Sequence, residues 1–395
     1  MALGVYVSVP FCRTKCSYCN FASDVFSRAV FERYVDRVCA DIQNAPQIAA
    51  EMGGEMQHAV DSIYLGGGTP TLLGAPQLQR LFDTMRREFD VSPDAEITVE
   101  CAPGTLATAT LDSFLRCGVN RLSLGVQSFV DQEAAAVGRL HKRTGVLADI
   151  AQLRAAGIAN INVDLIAGLP HQSSDSWDFS LAETIATGVP HVSVYMLEVD
   201  EDSRLGSELL AGGARYHAHF VPHDEAIADF YLAACDRLRS AGVAQYEISN
   251  FAREHFESRH NLKYWTRRPY LGFGVDAHSM LPFVTSNIAA VRFAYSDSLE
   301  QYMSGMPPQL TAVSPQAALE ESCFLGLRLN QGINLLELSE RFGDAATRNI
   351  PAAIAELVEA GLLKQRKDFL CLTPRGRLLS NEVFERFILA DEVAR

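Results

Sequence analysis

A recurring join between helix and strand constrains the fold of this chain more than any other feature. Arg116-Cys117-Gly118-Val119, Ala155-Ala156-Gly157-Ile158, Ala186-Thr187-Gly188-Val189 and Ser240-Ala241-Gly242-Val243 each close a helical pattern on glycine. Each then resumes as a β-branched strand. Glycine adopts the left-handed conformation that ends a helix, so each join reads as a C-cap followed by a strand. The strands after these joins fall at 121–125, 160–165, 191–197 and 245–249, and earlier ones at 3–9, 62–65 and 96–99. Alternation of this kind means a parallel sheet with right-handed crossovers. Six strands precede residue 197, and a seventh unit follows an insertion at 200–223. That count predicts an α/β partial (β/α)6 barrel, with a doubly wound open sheet as the alternative.

The pattern changes after Pro307-Pro308. Helical stretches at 316–329, 335–342 and 351–360 precede a hairpin turning at Lys367-Asp368, and Thr373-Pro374 caps a last helix. Three helices, a wing and a helix make a winged-helix-like α+β unit. A net charge of −14 argues against nucleic acid or an anionic membrane as its partner and favours packing or protein docking. No apolar run reaches the length of a membrane-spanning helix, and residues 1–10 do not read as a signal peptide. Nine cysteines, an odd count, are mostly scattered through apolar contexts, which is cytosolic usage rather than a disulfide framework.

Three of the nine are not scattered. Cys12, Cys16 and Cys19 stand at C-x3-C-x2-C spacing straight after the first strand. Three thiolates can hold three corners of a [4Fe–4S] cubane and leave one iron open to a ligand. Phe11, Tyr18 and Phe21 are placed to shield such a cluster. A structural zinc site is the alternative, but it wants four ligands and no second C-x2-C pair follows.

Further chemistry falls at or beyond the ends of later strands. Gly66-Gly67-Gly68-Thr69-Pro70 offers backbone groups to a closely approaching ligand and lacks the lysine of a P-loop. Glu100, Gln127, Arg139 and Asp164 follow in turn. Two carboxylates, a carboxamide and a guanidinium suit a zwitterionic nucleoside; taken singly, each also reads as a solvated charge or a helix cap.

These motifs resemble the radical S-adenosylmethionine (SAM) superfamily, most of all the subgroup of oxygen-independent coproporphyrinogen dehydrogenase and its heme-chaperone relatives. The carriers are Cys12-x3-Cys16-x2-Cys19, Gly66-Gly67-Gly68-Thr69-Pro70-Thr71, Gly125-Val126-Gln127-Ser128, Arg139-Leu140-His141, Asp164 to Pro170, Tyr246 to Ala252 and His260-Asn261-Leu262-Lys263-Tyr264-Trp265. The resemblance implies a TIM-like radical SAM barrel over 1–235, a connecting, heme-associated region over 236–308 and the winged-helix-like unit over 309–395. It implies a [4Fe–4S] cluster on Cys12, Cys16 and Cys19, with SAM on the open iron. Tyr6, Gly67, Gly68, Thr69, Glu100, Gln127, Arg139 and Asp164 match the family's SAM-contact positions, and Tyr18 joins them beside the cluster. The family's chemistry is reductive cleavage of SAM to a 5′-deoxyadenosyl radical.

Within the subgroup, the dehydrogenase carries another cysteine two residues after the third. Here that residue is Phe21. The dehydrogenase also has an N-terminal extension before its first strand, whereas this chain enters that strand at Leu3. Both features point to a heme chaperone, with coproporphyrinogen dehydrogenase as the alternative. His260, Tyr264 and Trp265 resemble the chaperones' heme-associated motif; they also read as a loop histidine with two core aromatics, and His278 is a second heme candidate. The implied partners are heme and apo-hemoproteins, among them membrane-bound respiratory enzymes. The implied location is the cytoplasm, with any membrane contact peripheral and through partners. Two positions depart from the family pattern: Cys101 after Glu100, and His171 where glycine usually follows Leu169-Pro170.

Overall fold

The computed structural model describes residues 2–283, 287–344, 346–347 and 350–388, so the end of the 309–395 unit lies outside the described residues. Six parallel strands run side by side in chain order: β1 (Leu3–Val9), β2 (Ala59–Gly67), β3 (Asp90–Cys101), β4 (Arg121–Gln127), β5 (Asn160–Ala167) and β6 (His191–Met196). With right-handed crossovers and no reversal of order, every connecting helix falls on one face. A doubly wound sheet needs a reversal and is therefore excluded. The result is a partial (β/α)6 barrel.

The strands alternate strictly. Their outward residues are apolar, as in Val5, Val7, Ile63, Leu65, Leu122, Leu124, Ile161, Val163, Val192 and Val194, all buried under the helices. Their inward residues are polar or glycine: Ser62 and Tyr64; Arg121, Ser123, Gly125 and Gln127; Asn160, Asn162 and Asp164; His191, Ser193 and Tyr195. Parallel strands covered on both faces usually read as unbroken hydrophobic runs. Here the second face lines a polar interior, so the period of two survives.

The expected seventh parallel strand at 245–249 is not formed. β7 (Ala244–Gln245) and β8 (Asn250–Ala252) make a hairpin, and β8 runs antiparallel to β6. The chain reverses because the buried Glu247 carboxylate accepts from the backbone N–H of Ser249, and Tyr246 N–H reaches Asn250 O at 3.1 Å. The long helix read over 26–50 is two, Ala29–Gln43 and Ala45–Glu51, because Pro46 has no N–H to continue the first.

On the other edge, β9 (Tyr270–Phe273) pairs parallel to β1, and β10 (His278–Pro282), β11 (Ala290–Ala294) and β12 (Gln309–Val313) continue antiparallel. The region expected as a connector thus extends the main sheet and takes in Val313. A separate apolar core begins with the helix Pro315–Leu327 and gathers Leu319, Leu327, Ile354, Leu370 and Val383. It carries a three-stranded antiparallel sheet of β13 (Ile333–Asn334), β14 (Leu363–Arg366) and β15 (Phe369–Leu372), in the order 13-15-14.

Candidate functional site

A cavity of about 1080 Å³ opens at the C-terminal ends of the barrel strands. The cysteine loop forms one wall. Its neck is closed by Cys12 N–H to Asp24 O at 2.9 Å and Asp24 N–H to Pro10 O at 3.0 Å, so Cys12, Cys16 and Cys19 all face the cavity. Burial pushes the Cys12 thiol up, and Thr69 Oγ1 donates towards its sulfur at 3.9 Å. Among the described residues, no three His, Cys, Asp or Glu side chains converge on a single metal-ion position. A cubane needs no such convergence, because each thiolate takes its own iron.

The two phenylalanines expected over the cysteines behave differently. Phe11 turns away from the cavity and stacks on Phe31 with ring centroids 3.8 Å apart, anchoring the loop to the core. Phe21 lines the rim and is 62% exposed. Its position in a loop outside the barrel leaves it nothing apolar to pack under.

The glycine turn sits opposite. Gly67 has φ of 98°, a left-handed conformation that L side chains rarely adopt. A Cβ on Gly68 would lie 2.7 Å from Val9 O and 2.8 Å from Phe11 O, so the turn and the cysteine loop touch through backbone. Thr69 completes this wall. Tyr6 does not line the cavity: its hydroxyl stands 3.3 Å from where a Gly67 Cβ would be, supporting the turn from below. Tyr64 takes the wall position, donating to Glu100 Oε1 at 2.9 Å, while Gly67 N–H donates to Glu100 Oε2 at 3.1 Å. Burial raises the Glu100 carboxyl to about 7, and the nearby Asp164 charge adds to the rise.

The remaining cofactor positions close the circle. Arg139 Nη2 donates to the Tyr18 hydroxyl at 2.9 Å, and its Nε is buried without a partner. Gln127 Oε1 is likewise buried and unpartnered. Gly125 permits this crowding, since a Cβ there would meet Arg139 Nη2 at 3.1 Å. Asp164 Oδ1 accepts from Asn162 Nδ2 at 2.7 Å and Oδ2 from Ser123 Oγ at 3.0 Å. Burial raises its carboxyl against the pull of these bonds. Two buried donor or acceptor atoms left over, two carboxylates and a glycine cradle make a site that a polar nucleoside would complete. Tyr64, Ser123, Asn162 and Tyr195 belong to it and escaped the reading of strand ends; the period of two along β2, β4, β5 and β6 was the signal that reveals them.

Leu378, Leu379, Ser380, Asn381 and Glu382 of the C-terminal unit also line the cavity, as does Arg328. The unit therefore covers the barrel mouth instead of standing free. The insertion at 200–223 straps the cysteine loop from the other side: Leu205 N–H donates to Ser17 O at 2.8 Å and Asn20 Nδ2 to Asp200 Oδ2 at 2.9 Å.

His260, Tyr264 and Trp265 do not line the cavity; they sit behind its wall on the helix Arg259–Trp265, with the His260 ring centroid 5.4 Å from that of Tyr64. His260 is 1% exposed. One ring nitrogen lies 3.0 Å from Ser62 Oγ and the other 2.9 Å from the Tyr264 hydroxyl, so in this arrangement neither is free to bind iron. Trp265 lies under the Arg328 guanidinium, 4.2 Å from the ring centroid. His278 is exposed on β10, beside Asp276. Cys101 is buried, hydrogen-bonded around Ala102 and Thr105, and burial pushes its thiol up to about 12. His171 occupies its left-handed position (φ 69°) and shares a hydrogen bond of 3.0 Å with His217.

Residues 6–181 match the radical SAM superfamily model, and residues 313–379 match the HemN C-terminal domain. The chain is 34% identical over 386 residues to heme chaperone HemW of Bacillus subtilis, covering 97% of this chain and 98% of that protein. It is 31% identical over 396 residues to heme chaperone HemW of Escherichia coli, covering 98% of each. The solved structure of coproporphyrinogen III oxidase (HemN) from Escherichia coli, a radical SAM enzyme, superposes with a TM-score of 0.82 over 98% of this chain and 90% of that one. At 23% identity that likeness speaks for the fold alone. No helix among the described residues is long and apolar enough to cross a membrane. A barrel of six singly wound units, near-full-length identity above 30% and both domain matches agree: the chain belongs to the radical SAM superfamily, in the family of the heme chaperone HemW.

Proposed function

We propose that this protein is a heme chaperone: it binds heme and passes it to apo-hemoproteins, and it carries a SAM-binding [4Fe–4S] cluster. The observation that carries this reading is 28–34% identity over almost the whole chain to heme chaperones from several bacteria. The acceptors include membrane-bound respiratory enzymes, met through protein contacts at the cytoplasmic face of the membrane.

The residues present fit the cofactors that the family implies. Three thiols share one cavity wall, and Gln127 and Arg139, each with a buried polar atom that has no partner, line the same space. Cys12, Cys16 and Cys19 hold the cluster. When bound, cluster and SAM supply one-electron chemistry at the sulfonium. Arg139 pairs the SAM carboxylate, fixed in direction by Tyr18. Glu100 and Asp164 accept from ammonium and ribose hydroxyls, Gln127 offers its carboxamide oxygen, and Gly67, Gly68 and Thr69 present backbone to the ligand. The C-terminal unit over the mouth excludes water.

The test is anaerobic reconstitution followed by parallel assays. Heme uptake, heme transfer to an apo-hemoprotein and no sustained conversion of coproporphyrinogen III support the reading. Sustained protoporphyrinogen formation sinks it in favour of the dehydrogenase. Alanine at Cys12, Cys16 or Cys19 is expected to abolish cluster iron and brown colour, and alanine at Cys101 to leave both intact.

A further inference from the structure

We infer that Arg267 and Arg292 form a carboxylate site for a heme propionate, held by the Glu321 carboxylate while the C-terminal unit covers it. This rests on the chaperone reading above and concerns the anchoring of its cargo.

Arg267 follows the helix Arg259–Trp265 in a left-handed conformation (φ 50°), and its N–H donates to Tyr264 O at 3.2 Å. Its side chain is 4% exposed. Arg292 lies on β11 opposite Met280 of β10, and Met280 in turn lies opposite Tyr270 of β9. The two guanidinium groups converge on one atom. Arg267 Nε donates to Glu321 Oε2 at 2.7 Å, and Arg292 Nη2 stands 3.1 Å from the same oxygen. Arg292 Nε is buried and has no hydrogen-bond partner among the described residues. Two cations thus share one carboxylate oxygen, with a donor left over. Burial lowers the Arg267 pKa, the like charges of Arg341 and Arg292 add to the fall, and Glu321 opposes it.

Glu321 belongs to the C-terminal unit, on the helix Pro315–Leu327. Arg328 follows seven residues later, two helical turns on and so on the same face. That face sets Glu321 on the two arginines and the Arg328 guanidinium over Trp265. Trp265 Nε1 is another buried donor without a partner among the described residues. The rings of Tyr264 and Tyr270 stand alongside, with centroids 4.7 Å apart. Lifting this one helix bares the arginines and the aromatic side chains together.

Heme is a flat apolar ring with two propionates on one edge. A planar guanidinium matches a carboxylate through two parallel N–H donors. A neutral ligand entering here would strand two buried cations, whereas a propionate replacing Glu321 keeps them paired. The exchange swaps one carboxylate for another; no covalent bond breaks and no electron moves.

The experiment titrates hemin and hemin dimethyl ester, whose propionates carry no charge, into the full-length, cluster-reconstituted protein and its variants, reading the Soret band. Wild type is expected to bind hemin about tenfold more tightly than the ester. Arg292→Gln should lose that preference and bind both like the ester, which a merely structural role would not produce. Glu321→Gln, with the competing carboxylate gone, should bind hemin more tightly than wild type and leave the C-terminal unit more open to limited proteolysis. If wild type binds hemin and its ester alike, or Arg292→Gln keeps the preference, the propionate site falls and the chaperone reading stands. If Glu321→Gln binds hemin no more tightly than wild type, Glu321 is not the competing occupant and the proposed exchange falls. If wild type takes up neither form, the chaperone reading falls, and the site falls with it.

Discussion

Arg328 Nη2 stands 3.4 Å from Glu247 Oε2, joining the C-terminal unit to the barrel through a carboxylate whose side chain is fully buried. The bond is one end of a continuous chain. Asn250 Nδ2 donates to Glu247, Ser193 Oγ to Asn250 Oδ1 at 2.8 Å, and Asn162 Nδ2 to Ser193 Oγ at 3.0 Å. Asn162 also donates to Asp164, in the cofactor cavity. Removing one partner of a buried pair strands the other charge, at about 3–5 kcal/mol. Arg328→Ala is therefore expected to lower the urea midpoint strongly and to open the C-terminal unit to limited proteolysis. An unchanged midpoint and digestion pattern would show that the pair does not hold the unit down.

Glu100 sets a dependence of stability on pH. Its carboxyl is raised from 4.5 to about 7, chiefly by burial. The folded state therefore binds the proton more tightly than the unfolded state. This contribution is complete below about pH 4.5 and is lost as pH rises through about 7, a difference of at most about 3 kcal/mol. In the SAM-free protein, Glu100→Gln should flatten the fall in stability between about pH 5 and about pH 8. Urea titrations at those two values check it; equal slopes for variant and wild type would refute the burial argument.

Gly68 is required by backbone, not by a flexible neighbour. A methyl group there meets Val9 O and Phe11 O, neither of which can swing aside. Gly68→Ala should cost about 1–3 kcal/mol and displace the cysteine loop, seen as a lower iron content after reconstitution. Full cluster loading in the variant would contradict the close approach.

His260 holds the Arg259–Trp265 helix against β2 in this structure. His260→Ala leaves Ser62 and the Tyr264 hydroxyl unpartnered in a buried site and should cost about 2–4 kcal/mol. A urea midpoint equal to that of wild type would contradict this.

Much of the site was legible because its chemistry sits at strand ends. The cysteine run, the glycine turn, Glu100, Gln127, Arg139 and Asp164 each follow a recognisable strand, and in α/β proteins those ends gather at one rim. The interior was less legible. Ser62, Asn162 and Ser193 stand in mid-strand and His191 at a strand start, where a reader looks for core residues, and only their period of two betrays a polar inner face. Tyr6 and Tyr64 show the same limit. Both point inward from directly paired positions on neighbouring strands, yet Tyr64 lines the cavity while Tyr6 does not and its hydroxyl supports Gly67 instead.

By itself the sequence determined the alternation of strand and helix, the three-cysteine loop, the order of ligand-bearing strand ends and the C-terminal α+β unit. These are local properties, set by residue spacing and by the few residues able to cap, turn or ligate. Tertiary structure alone decided which side chains share a cavity. It closed the chain at 247–249 into a hairpin, carried the C-terminal unit over the barrel mouth and buried His260 between Ser62 and Tyr264. Each of these outcomes depends on contacts between residues tens to hundreds of positions apart, which no local pattern encodes.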